Sequence, residues 1–146
     1  MPLSQLVYTS EVQRLGDGGV QKILEQARAG NWRAKVTGVL IFDGTHFCQC
    51  LEGEREPVTT LFCKIAADPR HARVSLVTVA DVEERDFPNW SMGCVPSDSP
   101  DVQSTLREFL PTGEFDPEQL LSPSAVALMK RMRDLQRAGT IQKLRR

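Results

Sequence analysis

VTGVLIFDGTHFCQCL, from Val36 to Leu51, reads as two strands folded back on Asp43 and Gly44. An Asp-Gly pair between two apolar runs is a strong short hairpin signal, because both central residues of a type I′ turn need positive φ. Val36 to Phe42 and Thr45 to Leu51 are therefore expected as antiparallel neighbours. Side chains alternate along a strand, so Phe47, Gln49 and Leu51 share one face, and His46, Cys48 and Cys50 the other. Burying an amide costs about 1–3 kcal/mol unless its polar atoms find partners, so Gln49 needs a polar neighbour.

Upstream of the hairpin, Leu3 to Ser10 is a short apolar run with Thr and Tyr that reads as a strand, with Tyr8 and Ser10 on one face. Gly16, Gly18 and Gly19 punctuate it. Val20, Ile23, Leu24 and Ala27 then recur at the i, i+3, i+4, i+7 spacing of a helix face, for which Gly30 is the expected stop. Downstream, Pro57 pre-sets the first turn of a second helix, and Val58, Leu61, Phe62 and Ile65 repeat the spacing. Val74 to Ala80 is β-branched and apolar, expected as a strand buried on both faces, and Trp90 to Val95 as a fifth strand.

The order β-α-β-β-α-β-β predicts an α+β fold: a ferredoxin-like sandwich with both helices on one sheet face. The last third of the chain can cover the other face. A short helix is expected over Val102 to Leu110, then a loop from Pro111 to Pro117. A further helix should open with Ser122 as N-cap and Pro123 at N1, end at Gly139, and carry Leu128, Met132 and Leu135 as its apolar stripe. The expected division is a domain over residues 1–96 and a C-terminal helical cap over 97–146.

A net charge of −1 with 25% charged residues offers no argument for nucleic acid or an anionic membrane as partner. No run approaches the ~20 apolar residues of a membrane helix, and Met1 to Gln5 lacks the features of a signal peptide. A cytoplasmic location is expected, with Cys48, Cys50, Cys63 and Cys94 reduced. Cys48 and Cys50, with His46 on the same face, invite a metal or redox reading. Residues two apart on a strand are an unusual chelate, however, and no second Cys pair follows at zinc-site spacing, so small buried hydrophobes and no metal are expected. From Lys130 onward Arg131, Arg133, Arg137, Lys143, Arg145 and Arg146 stand against Asp134; a solvated helix face is expected, with a docking surface for an acidic partner as the alternative.

If the polar member of each strand faces the two helices, Tyr8, Gln49 and Trp90 converge beneath them. A phenol, an amide and an indole are poor general acid/base catalysts at neutral pH, but good hydrogen-bonding and electron-donating partners for an aromatic redox cofactor. The site reads as one that holds a flat ring.

Five pieces carry a resemblance: Tyr8; Asn31 with Thr37 and Gly38; Phe47, Gln49, Leu51, Glu52 and Gly53; Asp68, Arg70 and His71; and Arg85, Phe87, Trp90 and Met92. In this order and spacing they resemble the BLUF family, the blue-light sensors using flavin, over about residues 4 to 96. The resemblance implies non-covalent FAD with its isoalloxazine between the two helices and its dimethylbenzene edge buried. It implies Tyr8 as photochemical electron and proton donor, and Gln49 as the amide between Tyr8 and the flavin N5/O4 edge. Asn31 would bond the pyrimidine side, Arg70 and His71 would lie near the other polar edge, and Trp90 and Met92 would respond when Gln49 reorients.

The same resemblance implies a photoreceptor and not an enzyme, signalling to a separate effector protein or through its own oligomeric state; a homo-oligomer is expected. Gly30 departs from relatives that often carry a polar side chain there, and Trp32 is expected to pack at the surface, with a competing electron donor as the alternative. Two alternatives stay open at this point. One is a thermal flavin oxidoreductase, which no acid, base or substrate-binding constellation accompanies. The other is an acylphosphatase-like hydrolase using Asn31 and Arg33 as an anion-binding pair, although the segment around them is not glycine-rich.

Overall fold

The computed structural model describes residues 2–13, 16, 19–88, 93–96, 99–110 and 119–137, with backbone alone at 93–96, 136 and 137. Trp90, Met92, Gly18, the Pro111 to Pro117 loop, Gly139, Lys143, Arg145 and Arg146 lie outside the described residues. The elements are β1 (Leu3–Val12), α1 (Gly19–Ala34), β2 (Thr37–Phe42), β3 (His46–Glu54), α2 (Arg55–Ala67), β4 (His71–Val82), β5 (Gly93–Pro96), α3 (Pro100–Phe109) and α4 (Ser122–Arg137). Their sequence is the β-α-β-β-α-β-β order expected, followed by two helices. The sheet order is β4-β1-β3-β2-β5, antiparallel from β4 through β2 and parallel between β2 and β5. The first four strands have the ferredoxin-like arrangement, and β5 extends it beside β2.

Strand alternation divides the core in two. Leu6, Tyr8, Leu40, Phe47 and Leu51 lie beneath α1 and α2 with Leu24, Val36 and Val58. Val7, Val39, Ile41, Cys48 and Cys50 lie on the opposite face, against Val102, Leu106, Leu128, Met129 and Met132 of α3 and α4. Leu128 and Met132 are fully buried and Leu135 packs against them, as the helical stripe predicts. Cys48 and Cys50 fill this second core as small apolar side chains. Burial pushes the Cys48 thiol up to about 12 and the Cys50 thiol well above its ordinary value, so both stay protonated at neutral pH.

Three expectations are corrected. Helix α1 does not stop at Gly30 but runs on to Ala34, which keeps Asn31 on a buried face. It ends where Lys35 turns left-handed at φ 56°. Val36 N–H donates to Asn31 O at 3.0 Å and Lys35 N–H to Trp32 O at 3.4 Å, the paired bonds of a Schellman cap with lysine in the position glycine usually holds.

The hairpin turn is not type I′. Gly44 alone of its residues has positive φ, at 96°, while Asp43 Oδ1 accepts the N–H groups of Thr45 at 2.9 Å and His46 at 2.6 Å. A side-chain carboxylate that satisfies two backbone donors closes the turn without a second left-handed residue. The third correction is β4, expected buried on both faces but found at the sheet edge, with Leu76 51% and Val79 54% exposed. A β-branched run marks a strand; it does not mark the strand's place in the order.

Gly38 lies opposite Leu51 on β3, and a Cβ built there would stand 1.9 Å from the Cys50 carbonyl oxygen. No side chain fits this approach of two backbones. Gly38→Ala should lower stability at or beyond the upper end of the ~1–3 kcal/mol that overpacking costs. Urea unfolding checks this, and an unchanged midpoint would show that β2 and β3 can part freely.

Candidate functional site

Antiparallel register sets Tyr8 on β1 directly opposite Gln49 on β3, and Gln49 opposite Leu40 on β2. The three form one row across the sheet beneath α1 and α2. The Tyr8 hydroxyl donates to Gln49 Oε1, so each of two buried polar groups meets a need of the other. Burial drives the Tyr8 phenol far above its ordinary range, so it holds its proton in the resting protein.

Above this row lies a slot of about 310 Å³. Its floor is Tyr8, Leu40, Phe47 and Gln49; α1 supplies one wall with Ile23, Gln26, Ala27, Gly30 and Asn31, and α2 the other with Leu61, Lys64 and Ile65. Residues three and four apart share a helix face, which is why these recur at that spacing. Asp68, Arg70 and His71 line the far end where α2 hands over to β4.

That end is tightly organised. Asp68 receives Arg70 through Nε at 3.1 Å to each carboxylate oxygen and through NH2 at 2.7 Å, while Arg70 NH1 reaches Gln26 Oε1 at 2.9 Å. The guanidinium bonds hold the Asp68 carboxyl below its usual range and raise Arg70. His71 Nδ1 lies 2.8 Å from Ser10 Oγ, and its ring centroid is 4.9 Å from that of Phe47 and 6.2 Å from that of Tyr8. Burial lowers the His71 pKa, Asp68 pulls it back up, and the net is downward, so the ring is neutral at pH 7.

Of the residues expected at the site, Tyr8, Asn31, Gln49, Arg70 and His71 all line the slot. Trp90 and Met92 lie outside the described residues. Trp32 is 66% exposed on α1 and takes no part in the lining. Arg33 is exposed and stands two positions from buried Asn31, a spacing that puts two side chains on different helix faces, so the anion-binding pair of the hydrolase reading is not formed. The sequence reading missed Gln26 and Lys64, which stand three positions after Ile23 and Leu61; the i+3 spacing was the signal that could have found them, and their polar side chains kept them out of the apolar faces. The slot shares Gly30, Asn31, Leu61 and Lys64 with a neighbouring cleft of about 780 Å³ between the C-terminal end of α1 and the N-terminal end of α2.

A largely apolar space lined also by amides, a phenol, an imidazole and a guanidinium fits a flat heteroaromatic ring with polar edges. The family described as BLUF, sensors of blue-light using FAD, matches residues 3–93. The chain belongs to the BLUF family. BLUF proteins are blue-light sensors that bind flavin, and two curated relatives place the domain in larger proteins. The blue light- and temperature-regulated antirepressor BluF of Escherichia coli (strain K12) is 40% identical over 75 residues, 49% of this chain and 18% of the relative. The photoactivated adenylate cyclase subunit beta of Euglena longa is 33% identical over 92 residues, 62% of this chain and 11% of the relative. The chain thus spans less than a fifth of the length of either.

Among solved structures, BlsA in its photo-activated state superposes with a TM-score of 0.78 at 29% identity, covering 90% of this chain and 94% of that one. The dark-state structure of BlrB, a BLUF protein, gives 0.68 at 35% identity with the same coverage. Both likenesses cover more of the chain than the family match over residues 3–93.

A histidine whose folded pKa is depressed binds fewer protons than the unfolded chain, so it adds stability at high pH that is lost as pH falls through the unfolded value of about 6.5. The stability lead of the parent over His71→Gln should therefore shrink between about pH 8 and pH 5, measured by urea unfolding of the flavin-free chain. A constant lead would show that His71 titrates alike folded and unfolded.

Proposed function

We propose that this chain holds FAD in the slot between α1 and α2 and signals through the Tyr8–Gln49 pair on its floor. The observation that carries the reading is the hydrogen bond from the Tyr8 hydroxyl to Gln49 Oε1 at the base of a ring-sized cavity. A bound flavin supplies blue-light absorption and, on excitation, an oxidant strong enough to draw on tyrosine. Tyr8, the chain's single tyrosine, then serves as the donor, with its phenolic proton already directed at the amide. Gln49 carries an acceptor oxygen and two N–H donors, so rotation or tautomerisation exchanges what it offers to each neighbour. Asn31, Arg70 and His71 orient the ring through its polar edges, and Trp90 and Met92 answer the change in Gln49.

FAD in place of a shorter flavin is supported by the family's description and by the open ends of the slot. One end adjoins the second cleft, and the other is bordered by Lys22 and Lys64, cations suited to phosphate, beside the Asp68–Arg70 pair. Residues 1–96 serve as the sensor domain and 97–146 as the cap that passes the signal to a separate effector protein. No helix among the described residues is long and apolar enough to cross a membrane. A cytoplasmic homo-oligomer whose contacts change with light completes the proposal.

The purified chain loaded with FAD should be yellow, its absorption band moving slightly to the red under blue light and returning in the dark. Tyr8→Phe should keep the flavin and lose the reversible shift, because the ring still packs while the phenolic proton is gone. Gln49→Leu should lose it too. A colourless protein after reconstitution, or a normal photocycle in either variant, would contradict the assignment.

A further inference from the structure

Between β4 and β5 the chain passes through Arg85, Asp86 and Phe87, which together touch Lys35 just after α1, strands β1, β2 and β3, and helix α4. Arg85 NH2 donates to the carbonyl of Lys35, the residue that ends α1, at 2.7 Å. Its NH1 donates to Thr37 Oγ1 at 2.8 Å and to the Glu52 carbonyl at 3.0 Å. The Glu52 carboxylate, fully buried on the cap side of β3, accepts Asp86 N–H at 2.9 Å, Phe87 N–H at 2.8 Å and Gln5 Nε2 at 2.8 Å. Gln5 Nε2 also lies 2.8 Å from Asp86 Oδ2, and Asp86 Oδ1 takes Arg133 NH1 of α4 at 2.5 Å.

A buried carboxylate that binds three donors fixes them, because losing any one leaves charge or amide unsatisfied in a dry place. Glu52 stands three positions after Gln49 on the same strand, so a movement of β3 at the slot is imposed on the amides of Asp86 and Phe87. Arg133 has a second partner: its NH2 lies 3.3 Å from Asp134 Oδ1, on a more exposed carboxylate. The guanidinium thus bridges Asp86 and Asp134 at once, and Asp134 can keep hold of it when Asp86 moves, so a shift of Asp86 loosens the tie between the β4–β5 connection and α4 without leaving the guanidinium unpaired.

We infer that Asp86 and Arg133 are positioning residues that pass the state of the slot, through Glu52, to helix α4. The inference rests on the light-sensor reading above, and its test separates the two. Hydrogen exchange across α4 (Ser122–Arg137) is measured in the dark and under blue light for the FAD-loaded chain, for Arg133→Met, for Asp86→Asn and for Arg133→Lys. The parent should show several-fold faster α4 exchange in light. Arg133→Met and Asp86→Asn should bring the light-to-dark ratio toward one while the flavin red shift keeps its full size, and Arg133→Lys should restore the ratio. A merely structural ion pair would lower the unfolding midpoint and leave that ratio unchanged. A parental ratio in Arg133→Met, or no α4 response in a parent that photocycles, would overturn the relay. Absence of any red shift in the parent would instead overturn the sensor reading.

Discussion

A phenol and a carboxamide set opposite one another on adjacent strands, both cut off from water, leave little freedom to the rest of the fold. Tyr8 and Gln49 satisfy each other only in one register, because a slip of one residue would send Gln49 to the cap face among Val39, Ile41, Cys48 and Cys50. Several features hold that register. The Asp43 carboxylate closes the hairpin turn, Gly38 permits the approach of β2 to β3, and Glu52 ties the end of β3 to Gln5 on β1. Two helices then cover the pair with apolar walls and leave a cavity of ring size between them.

The hairpin, the two helix faces and the strand faces that carry Tyr8 and Gln49 were legible in the sequence because each rests on local periodicity or turn chemistry; the register that sets the two side chains opposite one another was not. What the sequence hid depended on distance or on competition between local signals. Gly30 looks like a stop, but the helix ends where Lys35 can adopt a left-handed backbone and close a Schellman cap, which only the chain's later course decides. The apolar run of β4 looks buried, yet edge position follows from strand order. At the site, Asn31, Arg70 and His71 were found through family resemblance. Gln26 and Lys64 needed the helices placed, since each lies on its helix's wall of the slot. The network of Gln5, Glu52, Asp86 and Arg133 spans most of the chain and leaves no local trace.

Strand β3 serves both halves of the molecule. Phe47, Gln49 and Leu51 face the slot, while Cys48, Cys50 and Glu52 face the cap, so a change at Gln49 acts on a strand whose next residues are packed against α3 and α4. Interiors this closely packed respond by moving between discrete arrangements. The basic face of α4 belongs to this second half: Arg131 pairs with Glu108 and Arg133 with Asp86, so part of the positive charge is spent inside the molecule.

Because the chain holds one tyrosine, isotope labelling of tyrosine reports on Tyr8 alone. The light-minus-dark infrared difference spectrum of the FAD-loaded chain, recorded with ordinary and with ring-deuterated tyrosine, addresses the role of that phenol directly. Phenol bands that shift on labelling must appear in the difference spectrum if Tyr8 changes its hydrogen bond to Gln49 under light. A spectrum that changes with light but is identical for the two samples would remove Tyr8 from the photochemistry and contradict the account.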